Sequence, residues 1–525
     1  MQKTASLSVV LLLIALLFPS LSQANNLAVS NVRLSTRDLN AKTIAVLFDI
    51  SWENSWRNKI NHDAVWVTAR IQNTQETSNE KRLCKLSVAG LNPAGTAPGL
   101  SSGLEVYVPQ DRVGAFIRRA ANHDMGNISA QSLMLTVNYE SCGLSGDAMV
   151  EAMLFGLEMV FVPEGSFYAG DFAISSASFR RGSADDQPWY ITGESEVNVT
   201  AAASNGFYYV SAGNAGEFSS GSSFNIPAAY PKGFAAFYAM KYEITEGEWT
   251  AFVNSLPAES LRPRRDITDN THKNSDAVVA RNTVSCSGSP LVCTSQRPSR
   301  PVSFLSWKDF CAFLDWAGLR PMTELEYEKL ARGPFVPLQG DYAWGSITAI
   351  AADALAGDTE DGQETVTTPS SIARFGNILL TGGDAANGVE YQSGPLRGGI
   401  FATSTSDRTA SGAGYYGAME LSGNLKEWVV TAGNSGGLVF SGNHGDGQLT
   451  GTSGFEGNAD VPGWPGMDID VTKGVTGSLG AGFRGGSWFD AAERLRVSDR
   501  QEAANSVEDA LATYGGRGAS SYDGM

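Results

Sequence analysis

Residues 415–428 read YYGAMELSGNLKEW and place two carboxylates, Glu420 and Glu427, on either side of a Ser-Gly-Asn turn. Gly423 allows the backbone to reverse direction there, so that main-chain carbonyl oxygens can face the same point as both carboxylates. A cluster of carboxylate and carbonyl oxygens without His or Cys suits a hard cation, and calcium best. The alternative is a solvated acidic turn beside a core tryptophan. The spacing alone favours this alternative, because short motifs often match by chance.

The composition limits both the size of the fold and the class of partner. With 525 residues, the chain has room for roughly two to four domains with substantial cores. The formal net charge of −17 disfavours nucleic acid and anionic membranes as partners, and it fits a cation-rich exterior. The 58 glycines are scattered through Gly/Ser/Asn stretches, which predicts a loop-rich fold in which strands and turns outnumber helices.

Residues 1–24 have the features of a secretory signal. Lys3 is the basic head, residues 9–18 form an apolar run, and Ser22-Gln23-Ala24 is a small-residue cleavage site. We therefore expect cleavage after Ala24 and a soluble mature chain that is secreted, periplasmic or on the cell surface. An uncleaved signal anchor is the alternative, and the cleavage site argues against it. No later apolar run is long enough for a membrane span.

Five cysteines in an exported chain suggest disulfide bonds, with one thiol left over. Cys286 and Cys293 bracket a short Ser/Gly/Pro loop, CSGSPLVC, and would close it readily. Cys84 and Cys142 lie in apolar, strand-like runs and could join the two sheets of a sandwich. Cys311 lies in a predicted helix and is expected to be a buried free thiol. Because five thiols do not fix a connectivity, these pairings are hypotheses.

The region 25–157 contains short β-type runs that are separated by polar turns. These runs cover residues 27–34, 43–52, 64–71, 83–88, 104–108, 132–139 and 148–157. Several short strands at this spacing predict an antiparallel, immunoglobulin-like β-sandwich that serves as an accessory domain. The segment 111–122 is compatible with either a strand or a short helix.

The region 158–525 has a different character, with a few well-marked helices among irregular, glycine-rich segments. A Pro-Glu-Gly turn near residue 164 predicts a hairpin. Three helices are predicted from capping residues and glycine stops. The start signals are Thr245 with Glu248, Ser306, and Thr323 with Glu326, and the stop signals are Gly318 and Gly333. The predicted fold class of the whole chain is α+β.

Six stretches, in order, resemble the formylglycine-generating enzyme (sulfatase-modifying factor) family. They are MVFVPEGSFYAGD from 159, FYAMKYEITEGEWTAFV from 237, RPVSFLSWKDFCAFLDWAGLRPMTELEYEKLARG from 300, YAWG from 342, GAMELSGNLKEW from 417 and FRGGSW from 483. The resemblance covers about residues 159 to 518. It implies a compact C-type-lectin-like fold with little regular structure and with structural calcium.

The resemblance also implies the calcium ligands. Residues that match a family calcium site are Glu243, Glu420, Gly423, Leu425 and Glu427. The glutamates would supply carboxylates, and the other two residues would supply backbone oxygens. Glu420 stands where the family often has Asn or Asp, so a longer side chain keeps an oxygen ligand there. For a second family site, Asn377-Ile378 is the nearest match, and only these two residues are assigned.

This chain differs from the family at the positions of the catalytic thiols. The family's oxidases hold two cysteines, five residues apart, whose thiolates bind copper(I), because soft sulfur ligands select that ion. The matching positions here are Asp490 and Leu495, and no cysteine follows Cys311. We therefore expect neither copper binding nor oxidation of a sulfatase cysteine by that mechanism. An iron site is also disfavoured, since the four histidines have no ligand spacing; they are His62, His123, His272 and His444.

Three functions remain open at this point. The first is a calcium-stabilised binding protein for an unidentified peptide or glycan, and the second is an enzyme with altered metal-dependent or oxidative chemistry in which Asp490 acts as a base or oxygen ligand. The third is a structural component of an envelope assembly that docks through the sandwich. The pocket candidates are Arg484, Ser487, Trp488 and Asp490, for which core packing and ion pairing are the alternative roles.

Overall fold

Strands dominate the regular structure, as the sequence predicts. The computed structural model describes residues 26–99, 102–356, 359–360, 362–384, 392–403 and 405–524, and the predicted signal at 1–24 lies outside them. The first ten strands are β1 (Ala28–Asp38), β2 (Thr43–Arg57), β3 (Asp63–Asn73), β4 (Lys81–Leu83), β5 (Gly90–Leu91), β6 (Thr96–Ala97), β7 (Leu104–Val108), β8 (Ala115–Arg119), β9 (His123–Asn138) and β10 (Val150–Val162).

The later strands are shorter, with long irregular connections between them. They are β11 (Phe167–Ala169), β12 (Trp189–Ile191), β13 (Val197–Val199), β14 (Phe224–Ile226), β15 (Phe237–Met240), β16 (Ser285–Ser287), β17 (Val292–Thr294), β18 (Arg320–Pro321), β19 (Lys426–Val430), β20 (Ala481–Arg484), β21 (Tyr514–Gly515) and β22 (Gly518–Ser521).

Two antiparallel sheets face each other in the N-terminal region. One sheet has the order β1-β2-β9-β6, and the other has the order β18-β22-β15-β10-β3-β8-β7-β5 with β4 beside β3. Alternating apolar residues of β2, β3 and β9 fill the space between them, among them Phe48, Val65, Val67 and Leu135. The predicted sandwich-like α+β fold is confirmed. The predicted strand at 83–88 is largely wrong, because only Lys81–Leu83 pairs with β3 there.

The large sheet carries a core on each of its two faces. In β3, Val65 and Val67 point into the sandwich core, whereas Trp66 points to the other side and donates from Nε1 to the Ala317 carbonyl at 2.8 Å. Strand β10 runs through the predicted boundary at 157/158 and pairs with β3 on one side and β15 on the other. The two regions therefore share one sheet, and the division into domains 25–157 and 158–525 stays a prediction.

Three of the helices begin at the predicted N-caps, and two of these end at the predicted glycines. The helices are α1 (Glu246–Ser255), α2 (Trp307–Ala317), α3 (Glu324–Arg332), α4 (Arg408–Ser411) and α5 (Ser435–Leu438), with 3₁₀ turns at Tyr139–Cys142, Arg262–Arg265, Val471–Lys473 and Ala492–Leu495. Capping boxes start α1, α2 and α3, and Gly318 and Gly333 end the last two with φ values of 70° and 73°. Helix α2 packs its aromatic face against the large sheet.

The cysteines form two disulfide bonds, Cys84–Cys142 and Cys286–Cys293. Cys311 is a buried free thiol on α2. These observations confirm both hypothesised pairings and the predicted free thiol. None of the helices in the described ranges has the length and apolar character needed to cross a membrane.

Candidate functional site

The turn of the opening motif carries its two carboxylates into one buried region. Glu420, Gly423 and Asn424 have left-handed φ values of 57°, 99° and 65°. Gly423 is required because a Cβ there would lie 2.6 Å from the carbonyl oxygen of Arg374. The turn leads into β19, which pairs with β20 on one side and β21 on the other.

Three buried glutamates and one arginine form what we call the acidic cluster: Glu243, Glu420, Glu427 and Arg517. Both carboxylate oxygens of Glu427 accept hydrogen bonds from the Arg517 guanidinium, each at 2.7 Å. The same guanidinium also donates to three backbone carbonyls, those of residues 240, 241 and 419. Arg517 thus acts as an internal cation at the site where the resemblance places calcium.

The other two carboxylates of the acidic cluster differ in how well they are satisfied. Glu243 accepts from the Asn424 side-chain amide at 2.7 Å and from the Leu425 backbone N–H at 2.9 Å. Glu420 accepts at Oε1 from the Gly399 backbone N–H at 2.7 Å. Its Oε2 is buried and has no hydrogen-bond partner. Such an atom is costly unless a ligand or a proton compensates it.

The acidic cluster carries uncompensated negative charge. Three carboxylates and one guanidinium leave a formal charge of −2 when all four groups are ionised. Burial raises the pKa of Glu420 to about 7. Burial and the charge of Glu427 hold the pKa of Glu243 well above its ordinary value, and burial raises the pKa of Glu427 although Arg517 opposes it. Near neutral pH, protons or a cation must therefore balance the cluster.

The chemistry of this donor set fits a hard divalent cation. One such ion would balance the charge of the acidic cluster, and Glu420 Oε2 would be a free ligand for it. In the described part of the chain, no three His, Cys, Asp or Glu side chains are arranged to hold a metal by themselves. Backbone oxygens would have to complete the shell, and the resemblance assigns Gly423 and Leu425 that role. Calcium at these residues stays a prediction.

The residues predicted for a second calcium site are engaged with protein partners. The Asn377 backbone N–H donates to the Trp488 carbonyl at 2.8 Å. The Ile378 carbonyl accepts from the Arg374 guanidinium and from the Ser393 hydroxyl, the latter at 3.1 Å. Because that carbonyl already has protein donors, the second site gains no support from these contacts and also stays a prediction.

The positions that match the family's thiols hold an acid and a buried aliphatic side chain. Asp490 Oδ2 accepts from the Ser487 backbone N–H at 3.0 Å and from its hydroxyl at 2.6 Å. Lys426 Nζ lies 3.7 Å from the other Asp490 oxygen and 2.6 Å from Glu502. Leu495 is fully buried in an apolar cluster. Neither side chain offers sulfur, so this pair cannot bind copper(I) as two thiolates would.

The four pocket candidates differ in accessibility. Arg484 and Ser487 are buried at 2% and 0% exposure, and the Trp488 indole N–H donates to the Ala512 carbonyl. Asp490 is the partly exposed member of the four. Arg484 belongs to a set of buried ion pairs that we call the ion network, which comprises Glu324, Glu328, Asp341, Arg332, Arg484 and Arg500.

A cleft between the sandwich and the C-terminal region lies beside the acidic cluster. This interface pocket has a volume of about 480 Å³. Its lining is rich in aromatic, amide and cationic side chains, including Trp56, Asn58, Asn61, Lys241, Tyr242, Arg397 and Tyr415. Gly399, whose N–H binds Glu420, also lines it. The sequence gives no signal for this pocket, because its walls come from segments far apart in the chain.

Sequence reasoning missed the basic partners of the predicted acids. Arg517 lies 90 residues beyond Glu427 and is marked in the sequence only by a glycine-rich segment. Lys426 lies within the opening motif, but its contact with Asp490 depends on the tertiary fold. These partners decide whether each carboxylate is compensated.

Comparison with known proteins gives one family and two short matches. A family model described as "Sulfatase-modifying factor enzyme 1-like domain" matches residues 209–519. A formylglycine-generating enzyme of Thermomonospora curvata is 44% identical over 52 residues, 10% of this chain and 16% of that protein. One from Streptomyces coelicolor is 47% identical over 49 residues, 9% of this chain and 15% of that protein. The matched segment therefore spans about a sixth of each curated relative.

Proposed function

Because this chain belongs to the sulfatase-modifying factor enzyme 1-like family, we propose that it is an exported, calcium-stabilised binding protein without formylglycine-generating activity. The observation that carries the proposal is the pair of side chains at the thiol positions. Asp490 is held by Ser487 and Lys426, and Leu495 is buried among apolar side chains. The remaining thiol among the described residues, Cys311, is buried on α2.

Export is supported by the signal-like residues 1–24 and by the two disulfide bonds, since disulfides persist in oxidising compartments. We propose a secreted, periplasmic or cell-surface location. The mature chain would then meet calcium at the concentrations found outside the cytoplasm.

Calcium is supported by the charge of the acidic cluster. A divalent cation would balance its formal charge of −2 and would engage the buried Glu420 Oε2. When bound, calcium would supply structural cross-linking between the turn at residue 423 and β19. Glu243, Glu420, Glu427 and the backbone oxygens of Gly423 and Leu425 would hold it, and Glu420 Oε2 is the oxygen among the three carboxylates that has no protein partner.

The interface pocket is the proposed binding site for a peptide or glycan. Aromatic faces such as Trp56 suit sugar rings or apolar side chains, and amides such as Asn58 can fix hydroxyl or backbone groups. A glycan array and a peptide library, both with excess calcium, test this assignment. We expect Trp56→Ala to abolish the binding. Tyr190→Ala, at an exposed aromatic that neither lines the pocket nor contacts its lining through an aromatic pair, should leave the binding intact.

An enzyme of altered chemistry is the second candidate, and the partly exposed Asp490 beside Lys426 is the observation that favours it. It requires a bound transition metal or turnover at that residue. Elemental analysis decides between the candidates: we expect calcium alone in the wild-type protein. A stoichiometric transition metal that is lost in Asp490→Asn would favour the enzyme.

The third candidate, an envelope assembly, requires discrete oligomers or fibres in electron microscopy.

The direct test of the proposal is an oxidation assay. The mature protein is incubated with copper, oxygen and a cysteine-bearing sulfatase peptide, and the peptide mass is followed. We expect no change, whereas an authentic formylglycine-generating enzyme in parallel converts the peptide. Conversion by this protein would contradict the proposal.

A further inference from the structure

Arg70 is a buried guanidinium without a carboxylate partner. It lies on β3 at 1% exposure and stacks 4.0 Å above the Trp316 ring. Its two terminal nitrogens donate to the backbone carbonyls of Lys81, at 3.1 Å, and Trp316. Among the residues that the structure describes, no carboxylate forms an ion pair with Arg70, and its Nε has no acceptor. A buried charge in this state is expensive.

The two acids whose charges act on Arg70 have other partners. Glu80 pairs with Arg82. Asp315 accepts backbone N–H groups from Asp446 and Asp460 instead. Burial accordingly lowers the pKa of Arg70 well below its ordinary value. The fold thus places a cation here without a carboxylate hydrogen-bonded to it.

Arg70 lines a pocket of about 360 Å³ between the sandwich and the C-terminal region. Two further donors line the same pocket. The Trp316 indole N–H is buried without an acceptor. The Lys81 ammonium contacts Met153 Sδ at 3.7 Å and forms no ion pair with any described residue, and burial lowers its pKa. The rest of the lining is mixed. Its apolar part comprises Leu83, Leu256, Pro257, Leu261 and Leu449, and its polar residues include Glu80, Arg82, Ser141, Ser255 and Gln448.

We propose that this arginine pocket binds an organic carboxylate that carries an apolar chain. The Arg70 guanidinium and the Lys81 ammonium would pair with the carboxylate, and the Trp316 N–H would donate a further hydrogen bond. The apolar part of the lining would bury the chain. A phosphate fits less well, because its second negative charge would have to lie against the leucines or near the Glu80 carboxylate that also lines the pocket. The inference uses neither the acidic cluster nor the interface pocket, so it stands or falls separately from the proposed function.

Titration calorimetry and thermal unfolding of the full mature chain with octanoate test the proposal. We expect octanoate to bind and to raise the melting temperature, whereas octanol, which lacks the charge, and acetate, which lacks the chain, bind at least about tenfold more weakly. Arg70→Met should remove octanoate binding while the protein stays folded, since methionine replaces an unpaired buried charge with an apolar group. Arg33→Met, at an exposed arginine of β1, is the matched control and should bind as wild type.

Each other outcome overturns the proposal. Absent octanoate binding, or equal binding by Arg70→Met, removes the guanidinium from the site. Equal binding of octanol shows an apolar pocket only, and equal binding of acetate shows a simple anion site. If Arg70→Met does not fold, Lys81→Met and Leu449→Trp decide, since the first removes a charge and the second fills the pocket. Wild-type affinity in both variants would overturn the proposal.

Discussion

The ion network and the acidic cluster are both buried sets of carboxylates and arginines, but they differ in charge balance. The ion network has three of each, and every acid in it pairs with an arginine. Although burial opposes ionisation, Arg500 and Arg484 hold the pKa of Glu324 below its ordinary value. In the acidic cluster, three carboxylates share Arg517, and the pKa values of all three are raised.

This difference indicates which of the two is structural and which is open to a ligand. A neutral network in which every carboxylate pairs with an arginine needs no further ion, and it fixes α3 against β20. A buried cluster with a formal charge of −2 and an oxygen without a hydrogen-bond partner is destabilising unless protons or a cation compensate its charge. The number of acidic residues in the two sets is the same, so charge balance, and not acidity, marks the candidate site.

The largest expected effect comes from breaking the balanced set. Arg484→Met removes one partner each from Glu324 and Glu328 and leaves three buried carboxylates with two arginines, an uncompensated negative charge. We expect it to lower the free energy of unfolding by about 3–5 kcal/mol. Urea denaturation should give the same loss in excess calcium and in EDTA, with Arg33→Met unchanged. A loss that calcium largely restores would show that the two sets are not independent.

Calcium removal should have the next largest effect. Stripping the wild-type protein with EDTA leaves the acidic cluster with repelling carboxylates. At a calcium concentration about 100 times the dissociation constant, binding contributes about 2.7 kcal/mol to stability. Thermal unfolding with calcium, with EDTA, and with EDTA plus excess calcium measures it. An unchanged melting temperature across the three conditions would remove calcium from the proposal.

Glu420→Gln should distinguish two effects on stability: the charge repulsion within the acidic cluster and the stabilisation by a bound cation. The variant removes one of the two excess charges, so we expect it to be more stable than wild type by about 1–2 kcal/mol in EDTA near pH 7.5. It should gain little from calcium. Asp490→Asn, a matched loss of one carboxylate away from the acidic cluster, should keep the full calcium response. Equal calcium responses in wild type and Glu420→Gln would refute this ligand assignment.

The pH dependence of stability has a defined sign. Burial raises the pKa of Glu420 from 4.5 to about 7, so the folded state binds more protons between these values. Stability from this group is therefore fully present below about pH 4.5 and is lost as the pH rises through about 7. In EDTA, the stability difference between wild type and Glu420→Gln should widen over this range. Calcium should reduce it, because the cation favours the ionised carboxylate.

The sequence predicts the parts of the fold that local chemistry controls. The capping residues Thr245, Ser306 and Thr323 start helices where expected, because an N-cap acts within one turn. The sequence pattern gives the wrong strand bounds where a strand is extended by pairing with a segment far away in the chain. β10 runs past residue 157 because β3 and β15 both extend it, and β9 begins at His123 because the second half of β2 needs a partner.

The acidic residues of the candidate site could be predicted from the sequence, but the basic residues that neutralise them could not. The opening motif and the resemblance give Glu243, Glu420 and Glu427, but the pairing of Arg517 with one of them requires the folded chain. Arg484 has the opposite outcome: it is a predicted pocket residue that the fold places inside the ion network. Burial and pairing arise from tertiary contacts, so no spacing in the sequence reports them.

Calorimetric titration of the EDTA-stripped mature protein with calcium, at about pH 7.5, tests the central claim most directly, since ionised carboxylates favour the ion. The account predicts a calcium site that involves the acidic cluster, with proton release that grows in buffers of lower pH, and its loss in Glu420→Gln. Absence of calcium binding in the wild-type protein, or identical titrations for wild type and Glu420→Gln, would contradict it.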